Sequence, residues 1–122
     1  DIGCLPLIDK AAQFPELIED DKAMYFLFDR YASSIGAAII RKWGLQERYV
    51  NVAKFRDQWK YNDEMTVNLT DLILVSKLHT YLAYPHDKKV PRINQIPAFI
   101  KLHLLTEELI MVFNMLFIFI GL

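Results

Sequence analysis

Ser33-Ser34-Ile35-Gly36-Ala37-Ala38-Ile39-Ile40-Arg41-Lys42-Trp43-Gly44-Leu45 is the stretch that decides the fold class of this chain. Two serines open it, and serine is a residue type that caps helix starts. Positions 35, 36, 39, 40 and 43 are apolar at helical spacing, and a glycine follows where a helix stops. The stretch therefore predicts a short helix over 33–43 with its own start and stop. Gly36 and Ala37 are small enough to let another helix come close. Trp43 is the expected large anchor, its ring facing a helix that follows the Gly44 turn.

The same helical grammar runs outward in both directions. Residues 2–12 read as a short apolar helix that tolerates Pro6 in its first turn. Pro15 punctuates, and 15–30 holds a further helical stretch ending in Met24-Tyr25-Phe26-Leu27-Phe28. After Gly44-Leu45-Gln46, a helix over 47–59 is expected to turn Tyr49, Val52, Ala53 and Phe55 inward and Arg48, Lys54 and Arg56 outward. Residues 60–65 form a polar loop. The longest helix is expected over 66–83, where apolar residues cover most of the circumference, the mark of a buried central helix. Its Val, Ile and Thr content has a strand-like look, but the length favours helix. Pro85, Pro91 and Pro97 bracket a loop, and 98–104 reads as a short helix. Thr106-Glu107-Glu108 then offers a capping hydroxyl and two acids at a helix start. The reading is an all-α, compact multi-helix bundle over 1–122, a single domain of which this is a part, with an N-terminal half expected ahead of it.

Hydrophobic residues make up 53 % of the 122, which excludes disorder and leaves ample material for a core. The mean hydropathy is positive although a quarter of the residues are charged, so some apolar surface is meant for a partner or for chain outside this segment. The net charge of −1 exerts no general pull on nucleic acid. Charge is nevertheless uneven: seven acids against three bases over 1–30, and six bases against two acids over 41–60. An acidic element lying against a basic one accounts for this. The other reading is an anion- or nucleic-acid-binding face on the basic helix, with Arg48, Lys54 and Arg56 as its candidates. The single cysteine, Cys4, has no partner for a disulfide within the chain, lies among Leu5, Leu7 and Ile8, and fits a reducing cytoplasm.

Leu109 to Leu122 is apolar except at Asn114 and Gly121, but its fourteen residues fall short of the ~20 that span a bilayer. No membrane span is therefore expected. Phe113, Leu116, Phe117 and Ile120 form one stripe, and Met111, Met115, Ile118 and Phe119 cover another side. A helix without a polar face has to be covered on both sides, so this one is assigned to an interface, with a homo-oligomer as the expected result.

The residues carry little for catalysis. His79, His86 and His103 are spaced so that no two share a helical face with a third ligand, and they read as surface or hydrogen-bonded structural histidines. A zinc site needs three or four converging ligands. No cofactor is implied. Asp1, at a helix start and directly before Ile2-Gly3, is the one weak metal-ligand candidate. The chain opens there without a methionine, which reads as a piece of a longer protein.

Asp1-Ile2-Gly3, then a helix, then Phe28, then Ile35-Gly36-Ala37-Ala38-x-x-x-Lys42-Trp43-Gly44-Leu45 resembles the C-terminal half of the HDOD domain, the HD-related output domain of bacterial signalling proteins. Leu69 to Leu82 is similar to the family's long helix, and Pro97 to Leu109 to its terminal element. The Gly-Ala-Ala and Trp-Gly-Leu segments carry the resemblance; the remainder follows it as helical pattern. In the metal-dependent relatives, an aspartate placed like Asp1 supplies a ligand beside a histidine. This sequence departs from the pattern where Ala32 stands at a usual histidine, Arg56-Asp57 at the usual histidine pair, and Gln46 at the usual proline. The resemblance implies a non-catalytic regulatory module that works through a protein partner, a neighbouring signalling domain or a second copy. The rival is an HD-type phosphohydrolase acting on a nucleotide or cyclic dinucleotide, whose two-metal chemistry needs several His and Asp ligands.

Overall fold

Every regular element among the described residues is helical. The computed structural model describes residues 2–84 and 88–120, apart from the side chains of Leu109, Phe113, Phe117, Phe119 and Ile120. Six α-helices follow in order: α1 (Cys4–Ala11), α2 (Pro15–Ile18), α3 (Asp21–Lys42), α4 (Glu47–Phe55), α5 (Leu69–Ala83) and α6 (Pro97–Ile120), with a short 3-10 turn at Ile93–Gln95 before the last. The chain divides into two compact units, Asp1–Asp57 and Gln58–Leu122.

In the first unit, α3 is the spine. It does not begin at Ser33, as its serines suggested, but twelve residues earlier at Asp21. Asp20 is its N-cap, with its carboxylate accepting the Ala23 N–H at 3.1 Å. A helix already running has no need of a second cap. Ser33 instead accepts a hydrogen bond from Arg56 Nε at 3.4 Å, in mid-helix. The stop is as expected. Gly44 sits at φ +73°, its N–H bonds the Arg41 carbonyl at 3.0 Å, and the Leu45 N–H bonds Ile40 at 3.3 Å. That pair of bonds is the Schellman arrangement, in which a left-handed glycine closes the last turn.

Small residues set the packing around this spine. Helices α1, α2 and α4 all pack on α3. Ala37, Val50 and Ala53 form a buried cluster with Ile40 against it. Trp43, the C-cap of α3, takes no part in that cluster and is 63 % exposed. The expectation of a core anchor at Trp43 is thus overturned. Helix α4 also ends at Phe55, four residues short of its expected limit. It buries Val50 and Ala53, while Tyr49 stays exposed.

The second unit pairs α5 with α6. Helix α5 is capped by Asn68, not begun at 66, and it buries only the stripe Thr70, Asp71, Leu74 and Leu78. Leu72, Ile73 and Leu82 are exposed, so α5 is buried on one face and is not the encircled helix its sequence suggested. Helix α6 runs unbroken from Pro97 to Ile120, where a short helix and a second start at Thr106 were expected. Proline at a first helical position gives up no hydrogen bond and brings a preset φ, which suits Pro97 as the opening residue. Thr106 turns its hydroxyl back to the Leu102 carbonyl at 2.9 Å, a mid-helix contact that leaves nothing to cap.

Candidate functional site

Three places in the chain bear on what it does. The first is the crossing of the α1 start over α3. A Cβ at Gly3 would overlap the Ala32 carbonyl and lie 2.8 Å from the Gly36 nitrogen. The two backbones therefore touch with no side chain between them. Ala32 is fully buried beneath this contact. At Gly36, by comparison, an added Cβ would meet Ile2, the Gly3 nitrogen and Ala53 at 3.5–3.7 Å, ordinary van der Waals distances. Gly3, rather than Gly36, is the glycine that the close approach demands.

Around this crossing, Arg56 reaches back to α3. Its Nε bonds Ser33 and lies 3.2 Å from Asp57 Oδ2. The other two basic candidates lie elsewhere on α4. Arg48 lies over the Tyr49 ring at 4.9 Å and donates to the Tyr49 hydroxyl, and Lys54 lies over Phe55 at 5.0 Å. Six residues of helix separate Arg48 from Lys54, which turns them about 120° apart around the axis. The three candidates are thus each held by local partners and do not point to one spot. Cys4, partly buried nearby, has its thiol pKa pushed up by burial and, to a smaller extent, by the negative charge of Asp57. A thiol held protonated in this way is a poor nucleophile. Asp1 lies outside the described residues, as does His86. His79 is exposed, and His103 is exposed beside Glu107 at 3.3 Å. Among the described residues, no three His, Cys, Asp or Glu side chains gather closely enough to hold a metal ion.

The second place was not foreseen from the residues. Asp71 is fully buried, and its Oδ2 receives Lys101 Nζ at 2.6 Å and the Asn68 N–H at 3.0 Å. Asn68 Oδ1 accepts the Asp71 N–H at 3.1 Å, completing a capping box at the start of α5. The Asn68 amide also donates to the Tyr61 hydroxyl at 3.0 Å. Lys101, with its side chain only 11 % exposed, donates further to the Glu64 carbonyl at 3.0 Å and lies over the Tyr61 ring at 5.9 Å. One charged pair thus fastens α6 to the first turn of α5 and to the segment before it. Asn68-x-x-Asp71 ahead of an apolar run was the available signal, together with Lys101 as an isolated charge between Ile100 and Leu102.

The third place is the distal half of α6. Beyond Glu108, Met111, Met115 and Ile118 form a stripe that is 64–81 % exposed, and Val112 and Leu116 form a second that is half exposed. Of the four residues singled out for an interface, Leu116 is exposed. The side chains of Phe113, Phe117 and Ile120 lie outside the described residues. No helix among the described residues is long and apolar enough to cross a membrane. Set against protein-family models, curated proteins and solved structures, the chain matches none.

Proposed function

We propose that the chain is a non-catalytic, HDOD-like regulatory module of a bacterial cytoplasmic signalling protein, acting by protein–protein contact through the distal half of α6. The observation that carries the reading is the exposed apolar surface of Met111, Val112, Met115, Leu116 and Ile118 on two adjoining stripes. Contiguous apolar surface of this kind marks interaction sites on folded proteins, and methionine is a residue type enriched at such contacts. Two further features support it. The buried Ala32 under the Gly3 contact disfavours an imidazole at the place where the hydrolase reading requires one. The Asp71–Lys101 pair and its neighbours fix the proximal part of α6 on α5, so the distal part is presented from a held base.

The partner expected first is a second copy of the chain. Light scattering of the purified protein should give at least twice the 14.3 kDa chain mass. Met115→Glu and Leu116→Glu should each return it to a monomer with unchanged helical content. A wild-type monomer that stays soluble at high concentration would defeat the homo-oligomer and, with it, the proposed role of α6.

A further inference from the structure

Residues 41–49, which turn the chain from α3 into α4, are exposed without exception. Trp43 is 63 % and Leu45 49 % exposed, and between them a Cβ on Gly44 would meet no atom within 4 Å. The corner is thus convex, with an indole and an isobutyl group at its tip. Burial does not account for these two side chains, since neither belongs to the cluster of Ala37, Val50 and Ala53. Three cations, Arg41, Lys42 and Arg48, surround the tip, against the single acid Glu47. Glu47 is met by Arg41 at 3.2 Å, so Lys42 and Arg48 are the charge in excess.

Charge in this unit is also segregated along α3. Asp20 and Asp21 stand at its start and Arg41 and Lys42 at its end, about 30 Å apart at the helical rise per residue. The acids and bases that the sequence sets apart are therefore not laid against each other. That order suits the helix dipole, but the dipole asks for neither an exposed tryptophan nor Arg48 on the next helix. We infer that the α3–α4 corner docks the chain on an anionic membrane surface, with Trp43 and Leu45 entering the headgroup layer and Arg41, Lys42 and Arg48 in the field of the lipid phosphates. Tryptophan settles at the membrane–water boundary because its ring is apolar and its N–H is polar. Attraction of cations to such a surface acts over about a Debye length, roughly 8–10 Å. The three cations therefore contribute from around the tip without converging on one spot. The acidic start of α3 is repelled, which turns the tip toward the surface. A nucleic-acid strand fits this corner less well: strands lie in basic grooves on aromatic platforms, and a protruding leucine gives a base nothing to stack on.

The test is cosedimentation of the whole chain with vesicles of phosphatidylcholine and phosphatidylserine in equal parts. The chain should bind these far better than vesicles of phosphatidylcholine alone, and should be released at about 1 M salt, where screening is nearly complete. Tryptophan emission should shift to the blue on binding. Lys42→Gln should weaken binding about fivefold, the share of one cation near such a surface. Trp43→Ala, checked for unchanged helical content, should weaken it at least about tenfold. Both losses should recur in Met115→Glu, which sets this contact apart from the apolar stripes of α6. The inference fails if the chain stays in solution with the anionic vesicles, whether or not an oligothymidylate binds it, or if neutral vesicles bind it equally well. It also fails if Trp43→Ala or Lys42→Gln changes nothing, or if Met115→Glu alone abolishes binding. Neither corner substitution touches the distal stripes, so the oligomeric mass reports separately on the role of α6.

Discussion

The two units are held together by opposite means. In the first, the closest approach has no side chain in it: Gly3 lies on the Ala32 carbonyl, with Gly36, Ala37 and Ala53 completing a seam of small residues. In the second, the closest tie is a buried charge pair, Asp71 with Lys101, surrounded by Asn68, Tyr61 and the Glu64 carbonyl. A contact of bare backbone, such as that at Gly3, fails when a side chain is added to it. A buried ion pair fails when either member is removed, because the remaining charge is stranded away from water. The same size of substitution should therefore have opposite consequences in the two units. The chain reports on each separately, since each unit holds one of its two tryptophans, Trp43 and Trp59.

The largest effect is expected at the ion pair. Lys101→Met keeps most of the apolar stem but leaves the buried Asp71 carboxylate without its counter-charge. It should cost about 3–5 kcal/mol in urea unfolding followed at Trp59. Adding Asp71→Asn to that variant should recover part of the loss. If Lys101→Met alone is neutral, the pair is not what fastens the unit.

Next come the additions to the seam. Gly3→Ala should lose about 1–3 kcal/mol of stability, because the Ala32 carbonyl it meets is backbone and cannot swing aside. Gly36→Ala is its control. The new methyl finds ordinary contacts, and the helix gains from losing a glycine, so about 0.5–1 kcal/mol of stabilisation is expected. A reversed order of these two variants would remove the distinction between a required and a merely permitted glycine.

A smaller effect is expected at Trp43. At 63 % exposure, Trp43→Ala should change stability by less than about 1 kcal/mol, where a core tryptophan would cost about 3–5. The smallest concerns the Cys4 thiol. Its pKa is raised in the folded state, so folding favours the protonated form. The resulting stability is fully present below the unfolded thiol's pKa and is lost as pH rises through the folded value. Alkylation by iodoacetamide should accordingly be slower at neutral pH than for an unfolded thiol. Asp57→Asn should speed it by a little, since burial is the larger cause. Equal rates in folded and unfolded chain would contradict the shift.

What the residues disclosed follows from how local each signal is. The helical class was legible throughout, because every element carries its own period and punctuation. The Gly44 stop was also legible, since a left-handed glycine acts within one turn. Helix starts were less so. Ser33-Ser34 and Thr106 both look like caps, but a capping hydroxyl has meaning only if no helix is already running, and that is decided at Asp20 and Pro97. Trp43 was misplaced for a different reason. Its stripe is apolar along its length, but burial depends on where α4 crosses, which is a tertiary fact. At the candidate sites, the missing polar face of the last helix was readable, and Leu116 on it is exposed. The Asp71–Lys101 pair spans thirty positions of sequence, and neither residue advertises its burial.

Asp71 also ties two events together in time. One of its oxygens receives both the Asn68 N–H that opens α5 and the Lys101 ammonium that anchors α6. Fraying at the head of α5 therefore cannot proceed independently of the release of α6. In amide hydrogen exchange, the Asp71 N–H, which belongs to a first turn that ordinarily exchanges fast, should be protected to the same degree as the amides around Lys101. The two groups should lose that protection in a single step, as one cooperative unit of opening.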